Sequence, residues 1–334
     1  MRAWRLHELG APADVLRLED GVEVPQPGPG QVRLEVAATG LNFFEDLLCR
    51  GRYQEKPPLP LIPGAELCGR VAAVGEGVDV PVGARMIGMA AFPHGGLADQ
   101  ALASARMLFP IPDSMPDEVG AALGMTYGTS HVALHHRGRL QPGETLLVHA
   151  GAGGVGSAAI QLGVAAGARV LATAGGPEKV EVCRKLGAEV AIDYRREDFV
   201  AAVKEATGGR GADVIYDPVG GEVFDRSLRC IAWEGRLLVI GFTSGTIPAA
   251  PANLVLLKNF SVVGVHFGAY ARHDPGIFRR THDELVALYE AGKIDPLIDR
   301  VLPLEEALTG LTDLAGRRTV GKVVVRVGAG GQNS

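Results

Sequence analysis

The sequence predicts an α/β protein in which a β-rich unit is joined to a doubly wound, parallel sheet of six strands. Two textures and one motif carry that expectation. Residues 1–120 hold short apolar runs broken by Pro25, Pro27, Pro29, Pro63 and Gly64, the mark of short strands with few helices. From about Gly120 the chain alternates short apolar runs with helical patterns, as βαβ units do. Between the first of those runs and its helix lies Gly151-Ala152-Gly153-Gly154-Val155-Gly156.

Taken in order, residues 32–37 and 70–74 read as strands of a Greek-key or barrel-like unit. Residues 145–149 form a continuous apolar strand, followed by a helix over 154–166 that Gly167 closes. A strand over 169–173, a helix over 179–186 and a strand over 190–192 come next. Residues 214–216, 236–240 and 261–265 complete six strands, which in this rhythm make a Rossmann sheet. Beyond Phe267 a helix over 275–291 precedes a strand over 298–302, a short helix and a last strand over 321–327. That segment is too small to stand alone, so it is expected to rejoin the N-terminal unit. The expected division is 1–122 with 267–334 for the β-rich unit and 123–266 for the Rossmann unit. The low-complexity tail, 328–334, is expected to fray.

Composition limits the setting. A chain of 334 residues exceeds what one core usually holds, and 47% hydrophobic residues suffice for two cores and exclude disorder. The net charge is −5 with no block of five or six basic residues, which argues against nucleic acid or an anionic membrane as partner. No apolar run reaches the roughly 18 residues that a spanning helix needs. Residues 1–10 place Arg2, Arg5, His7 and Glu8 where a signal peptide would be apolar. Cys49, Cys68, Cys183 and Cys230 are scattered and form no CxxC, so a reducing, cytoplasmic setting is expected.

The glycine motif satisfies G-x-G-x-x-G in the strand–turn–helix context that a dinucleotide site requires. Gly151 permits the tight turn, Gly153 lets backbone approach a pyrophosphate, and Gly156 lets helix and strand pack closely. The helix that follows directs its N-terminal amides at the phosphates. NAD sites usually place Asp or Glu about 20 residues further on, to hold the ribose 2′-hydroxyl. Here the second strand ends in Thr173-Ala174-Gly175-Gly176 with no carboxylate. Small residues leave room for a 2′-phosphate, and Lys179 can meet its charge or be an ordinary solvated lysine. NADPH is the expected cofactor.

At this point the sequence resembles the zinc-independent quinone oxidoreductases of the medium-chain dehydrogenase/reductase superfamily. The resemblance rests on Gly40-Leu41-Asn42-Phe43, Gly51-Arg52-Tyr53, Pro58-Leu59-Pro60, Pro63-Gly64 and the stretch 125–130. It continues through the glycine motif, Ala191-Ile192-Asp193-Tyr194, Val239-Ile240-Gly241-Phe242 and Val320-Gly321-Lys322-Val323-Val324. It implies a GroES-like catalytic domain beside the Rossmann domain, and a homodimer formed through the Rossmann sheet edge. It implies cofactor contacts at Ala152, Gly153, Gly154 and Val155, and a 2′-phosphate site at Gly175, Lys179 and Tyr194. Asn42 and Thr129 correspond to positions near the nicotinamide, and Gly241, Phe242, Val265, His266 and Phe267 to later contacts along the cofactor.

Zinc-dependent relatives have Cys where Asn42 stands and Gly-His-Glu at Gly64-Ala65-Glu66. Neither Cys nor His, the usual ligands of catalytic zinc, is present there. Glu66 alone is a poor zinc site and reads as a buried structural carboxylate. No metal is expected. Without a Lewis acid, reduction of an isolated carbonyl loses several kcal/mol of charge stabilisation. Conjugated acceptors such as quinones, enones and enoyl thioesters can take hydride without one.

Asn42 can hydrogen-bond the nicotinamide carboxamide or the substrate oxygen. Tyr53 matches a Tyr that related enoyl reductases use as proton donor, or is a loop aromatic packed at the cleft. Phe43, Phe92, Tyr127 and Phe267 can line an apolar slot, although aromatics at such places are ordinarily core. His131, His135 and His136 lie on a predicted helix but lack the Glu of H-E-x-x-H, which favours packing or surface roles.

The expected activity is NADPH-dependent hydride transfer to a quinone or similar conjugated carbonyl. An enoyl-thioester or 2-alkenal reductase is the nearest alternative. From another class, a non-catalytic NADPH-binding structural or regulatory protein would share the same glycine loop.

Overall fold

A computed structural model of the chain describes residues 1–328. The expectation of a frayed tail over 328–334 lies, except for Gly328, outside the described residues. The chain divides into two compact units, one of residues Met1–Met125 with the segment from Ile298 onward, the other Thr126–Leu297.

In the first unit a six-stranded sheet runs Ile298–Pro303, Lys322–Arg326, Gln31–Gly40, Glu66–Val74, Arg85–Ala90, Gln100–Pro110. The strand Gln31–Gly40 also pairs antiparallel with Gln100–Pro110, which closes four of these strands into a barrel and leaves them no free edge. Val32, Leu34 and Val36 alternate inward along Gln31–Gly40, the period-2 pattern of a strand with one face in the core. They pack with Leu67, Val71, Leu108, Val323 and Val325. Register here prepares the site: Gly40 lies opposite Glu66 on one side and Val324 on the other.

In the second unit the sheet order is Val190–Asp193, Arg169–Ala174, Thr145–Val148, Ala212–Asp217, Ile231–Val239, Ser261–Gly264. Every pairing in it is parallel. Numbered within the unit this is 3-2-1-4-5-6, the Rossmann order, whose direction reverses beside the first strand. The helix Gly154–Ala165 follows that strand. It is apolar through most of its length because it is buried through most of its length.

The boundary after the Rossmann strands differs from the one the sequence texture suggested. Residues 267–297 belong to the second unit, and the chain returns to the first only at Ile298. The helix Gly276–Glu290 buries Ile277, Phe278, Thr281, His282 and Leu285, and Phe278 packs on Phe267 at 4.7 Å between ring centroids. The texture change at Phe267 marks the end of the sheet, not the end of the core around it. No helix among the described residues is long and apolar enough to cross a membrane.

Candidate functional site

The glycine turn follows the strand Thr145–Val148. Its left-handed residue is Ala150 (φ 52°), so the turn does not need glycine at 151 for its backbone angles. Packing needs it instead, since a Cβ on Gly151 would fall 2.8 Å from Cys183 Sγ and 3.0 Å from Ala172 Cβ. At Gly156 a Cβ would sit 2.2 Å from the Ala150 carbonyl oxygen, which only glycine avoids. Gly153 is less constrained from within, with Ala150 O at 3.3 Å as the sole near neighbour of its would-be Cβ. Glycine there keeps the outer face of the turn bare, as a closely approaching phosphate requires.

His149, the residue before the turn, is buried and bonded at both ring nitrogens. Nδ1 lies 3.0 Å from Thr173 Oγ1 and Nε2 2.9 Å from Ser227 Oγ. Burial pushes its pKa down to about 3, so it is a neutral brace between the first strand, the second strand and the helix Gly221–Ser227.

At the end of the second strand, Asp193 from the neighbouring strand accepts from Gly176 N at 2.9 Å and Arg195 N at 3.1 Å. The Gly176 N–H is the chief cause that holds its carboxyl below the usual range. This acid is therefore spent on the turn's own backbone. A Cβ on Gly175 would meet Tyr194 Oη at 2.6 Å and Arg195 Nε at 3.1 Å. The structure thus brings Gly175 and Tyr194 together, with Lys179 in the first turn of the helix Pro177–Lys185. It adds Arg195, which the sequence reading passed over; the only signal was its place next to Tyr194.

Of the remaining expected cofactor positions, Thr129, Val155, Gly241 and Phe242 are half-buried, His266 is exposed, and Ala152 and Val265 are buried. Phe267 is committed to the core, against Phe278 and over Gly128. Tyr127 is also core: it is buried, and its hydroxyl bonds Gln161 and the Asp295 carbonyl.

Within the β-rich unit, a buried charged cluster surrounds Asn42. Lys322 Nζ donates to Asn42 Oδ1 at 2.8 Å, Glu66 Oε2 at 2.8 Å and Leu41 O at 3.0 Å. Asn42 Nδ2 donates to Gly40 O at 3.1 Å and Glu66 Oε2 at 3.3 Å. Glu66 Oε1 accepts from Met125 N at 2.7 Å. Glu45 is fully buried and accepts from the backbone N–H groups of Asn42, Gly64 and Ala65. Burial pushes Glu45 up to about 7, against those N–H groups and the Lys322 charge, which pull it down. Gly40 makes room for all this, since a Cβ there would meet Ala121 O at 2.2 Å and Glu66 Oε2 at 2.9 Å.

An ammonium group therefore bonds both Asn42 and Glu66, two of the positions compared above with the zinc-dependent relatives. Ala65 contributes only its backbone. Among the described residues no group of three or more His, Cys, Asp or Glu side chains is placed to hold a metal ion.

Tyr53 is half-buried, with its ring 4.9 Å from that of Phe44, and burial raises its pKa. His131 bonds Glu284 at 2.9 Å and stacks near His135 at 4.6 Å. Burial lowers both imidazoles, His135 to about 4. His135 and His136 do not continue the α-helix as expected. They lie in a π-turn, Val132–Arg137, which shifts their spacing relative to His131.

Comparison with known proteins bears on this geometry. Residues 154–285 match the zinc-binding dehydrogenase family and residues 28–113 the alcohol dehydrogenase GroES-like domain. A quinone oxidoreductase-like protein 2 homolog of Nematostella vectensis is 40% identical over 327 residues, which cover 97% of this chain and 88% of the relative. The chain belongs to the quinone oxidoreductase family of the medium-chain dehydrogenases and reductases. The crystal structure of Escherichia coli quinone oxidoreductase complexed with NADPH superimposes with TM-score 0.89 at 29% identity, covering 98% of this chain and 100% of that one. The CurK enoyl reductase superimposes with TM-score 0.87 at 29% identity, covering 98% and 99%. The β-rich unit is thus GroES-like in its family as well as in its topology.

Proposed function

We propose that the protein is an NADPH-dependent enzyme that passes hydride to a quinone or a similar conjugated carbonyl without a metal. The observation that carries this reading is the turn at Gly175, with Tyr194 and Arg195 against it and Asp193 tied to its backbone. An anion-accepting turn whose nearest acid is already engaged fits a 2′-phosphate and not a free ribose hydroxyl pair. The neighbouring E. coli structure, complexed with NADPH, supports the same cofactor.

When bound, the cofactor supplies hydride from C4 of its nicotinamide. The bare face at Gly153 and the amides of the helix Gly154–Ala165 would receive the pyrophosphate. Gly175, Lys179, Tyr194 and Arg195 would hold the 2′-phosphate; Thr129, Ala152, Gly154, Val155, Gly241, Phe242, Val265 and His266 would line the rest, while Phe267 stays in the core. Asn42 has both side-chain N–H groups engaged, so only its Oδ1 is open to a further donor. It is therefore an acceptor for the nicotinamide amide, not a donor to a substrate oxyanion. For a quinone, the hydride brings one hydrogen and water supplies the one proton that completes the hydroquinone.

The likeness to an enoyl reductase favours a second reading in which an enoyl thioester is reduced and Tyr53 protonates the product. NADPH oxidation with a quinone, an enone and an acyl-CoA thioester separates the two. Quinone turnover that survives Tyr53→Phe is expected; turnover of the thioester alone would replace the quinone reading. Tight NADPH binding with no turnover of any acceptor would point to a non-catalytic binding protein.

The homodimer fits the exposed edge strand Ser261–Gly264 and the exposed Ile247, Leu256, Leu257 and Val262 near it in sequence. Light scattering is expected to give twice the chain mass, and Leu256→Glu/Leu257→Glu half of that. Four free, buried cysteines fit a reducing cytoplasm.

A further inference from the structure

We infer that Lys322, with Glu66, is a positioning pair that fixes which way the Asn42 carboxamide faces. This rests on the function proposed above and deepens it. Lys322 Nζ has three N–H groups and three buried oxygen acceptors, so its geometry is fully determined. Only an oxygen can face the ammonium, which sets Oδ1 of Asn42 toward Lys322 and Nδ2 toward Gly40 O and Glu66 Oε2. The reverse orientation would put two donors together and two acceptors together. Asn42 also stands at the N-cap position of the helix Phe43–Cys49, in a capping box with Glu45; the partners of its Nδ2 and the ammonium on its Oδ1 come from Gly40 O, Glu66 and Lys322. The Glu45 carboxylate also faces this region but is taken up by the backbone N–H groups of Asn42, Gly64 and Ala65.

The partners are far apart in the chain, with Lys322 and Asn42 separated by 280 positions. Strand register joins them, through Gly40 between Glu66 and Val324. The cation is thus built into the strand Lys322–Arg326 that pairs beside the barrel, and it orients a ligand-facing amide by the means a metal site uses for its own ligands.

A double-mutant cycle tests this. Its corners are the wild type, the charge-neutral pair Glu66→Gln/Lys322→Met, Asn42→Ala, and the triple variant, each measured in kcat/KM for NADPH with a quinone. Loss of a charge-assisted bond is expected to lower kcat/KM by about tenfold or more in the pair, with Asn42→Ala similar. The triple variant is expected to be no worse than Asn42→Ala alone, because no carboxamide is left to orient. Losses that multiply, or wild-type turnover by the pair, would overturn the assignment.

A second readout does not depend on turnover. The Asn42 side-chain NH₂ protons, seen by NMR in selectively labelled protein, are expected to exchange slowly in the wild type and fast in the pair. Should the pair not fold, Glu66→Gln alone is expected to speed that exchange. Equal exchange in wild type and variant contradicts the positioning role whatever the activity. A wild type that turns over no acceptor but shows the exchange difference refutes the proposed function and leaves the positioning standing.

Discussion

Each unit holds still a group that the proposed function turns toward the cofactor, and the two do so with opposite chemistry. In the Rossmann unit the glycine turn over 151–156 is braced by uncharged groups: His149 kept neutral by burial, Ser227, Thr173 and glycines packed against carbonyls. In the GroES-like unit the Asn42 side chain is braced by charge, with Lys322 and Glu66 buried together. Neutral bracing costs little desolvation and tolerates the loss of one partner. Charged bracing fixes a donor–acceptor pattern more strictly, but it is severely exposed to removal of either ion.

That contrast can be broken by substitution. Lys322→Met alone leaves the Glu66 carboxylate buried without its cation, and the expected cost is about 3–5 kcal/mol, read as a shift in the denaturant midpoint. The same shift is expected to shrink in Glu66→Gln/Lys322→Met. If the single and the pair are equally destabilised, charge is not what holds this cluster. Gly156→Ala drives a Cβ into the Ala150 carbonyl and is expected to cost about 1–3 kcal/mol by overpacking, with a weakened nucleotide affinity. Calorimetry that shows neither effect would mean the turn relaxes freely.

Arg195→Ala tests the adenosine end. Arg195 is exposed, so screening reduces its worth. KM for NADPH is expected to rise about tenfold, the low end for a charge-assisted bond, with KM for NADH unchanged. An equal rise for both coenzymes would mean that Arg195 does not read the phosphate.

A further effect is in pH. Folded His149 takes a proton only near pH 3, while its ordinary value is 6.5. Between those values the unfolded chain binds the extra proton, so stability rises with pH across the window and is lost as pH falls from 6.5 toward 3. The slope from this one group is at most roughly 1.4 kcal/mol per pH unit. His149→Gln is expected to flatten it in pH-dependent unfolding; an unchanged slope would show that another group carries the acid sensitivity.

The same contrast explains what could be read in advance. The Rossmann turn is contiguous, so its glycines, its strands and the missing acid after Thr173 are visible as a string of residues. The charged cluster is assembled from positions 42, 45, 66 and 322 by sheet register, and no local pattern announces it. Lys322 was visible as part of Gly321-Lys322-Val323, but its partners were not. Arg195 was hidden for a smaller reason. An arginine after a strand end is ordinary, and only the fold of the Gly175 turn under Tyr194 gives it a place. The unit boundary was misplaced because periodicity reports the end of a sheet, whereas Phe278 and Leu285 still belong to the core beyond it.

The central claim is that reduction here needs NADPH and no metal. The direct measurement is quinone-dependent NADPH oxidation by chelator-treated, metal-analysed protein, run beside NADH. The account predicts full activity with no bound zinc and a clear preference for NADPH. Stoichiometric zinc whose removal abolishes turnover, or a preference for NADH, would contradict it.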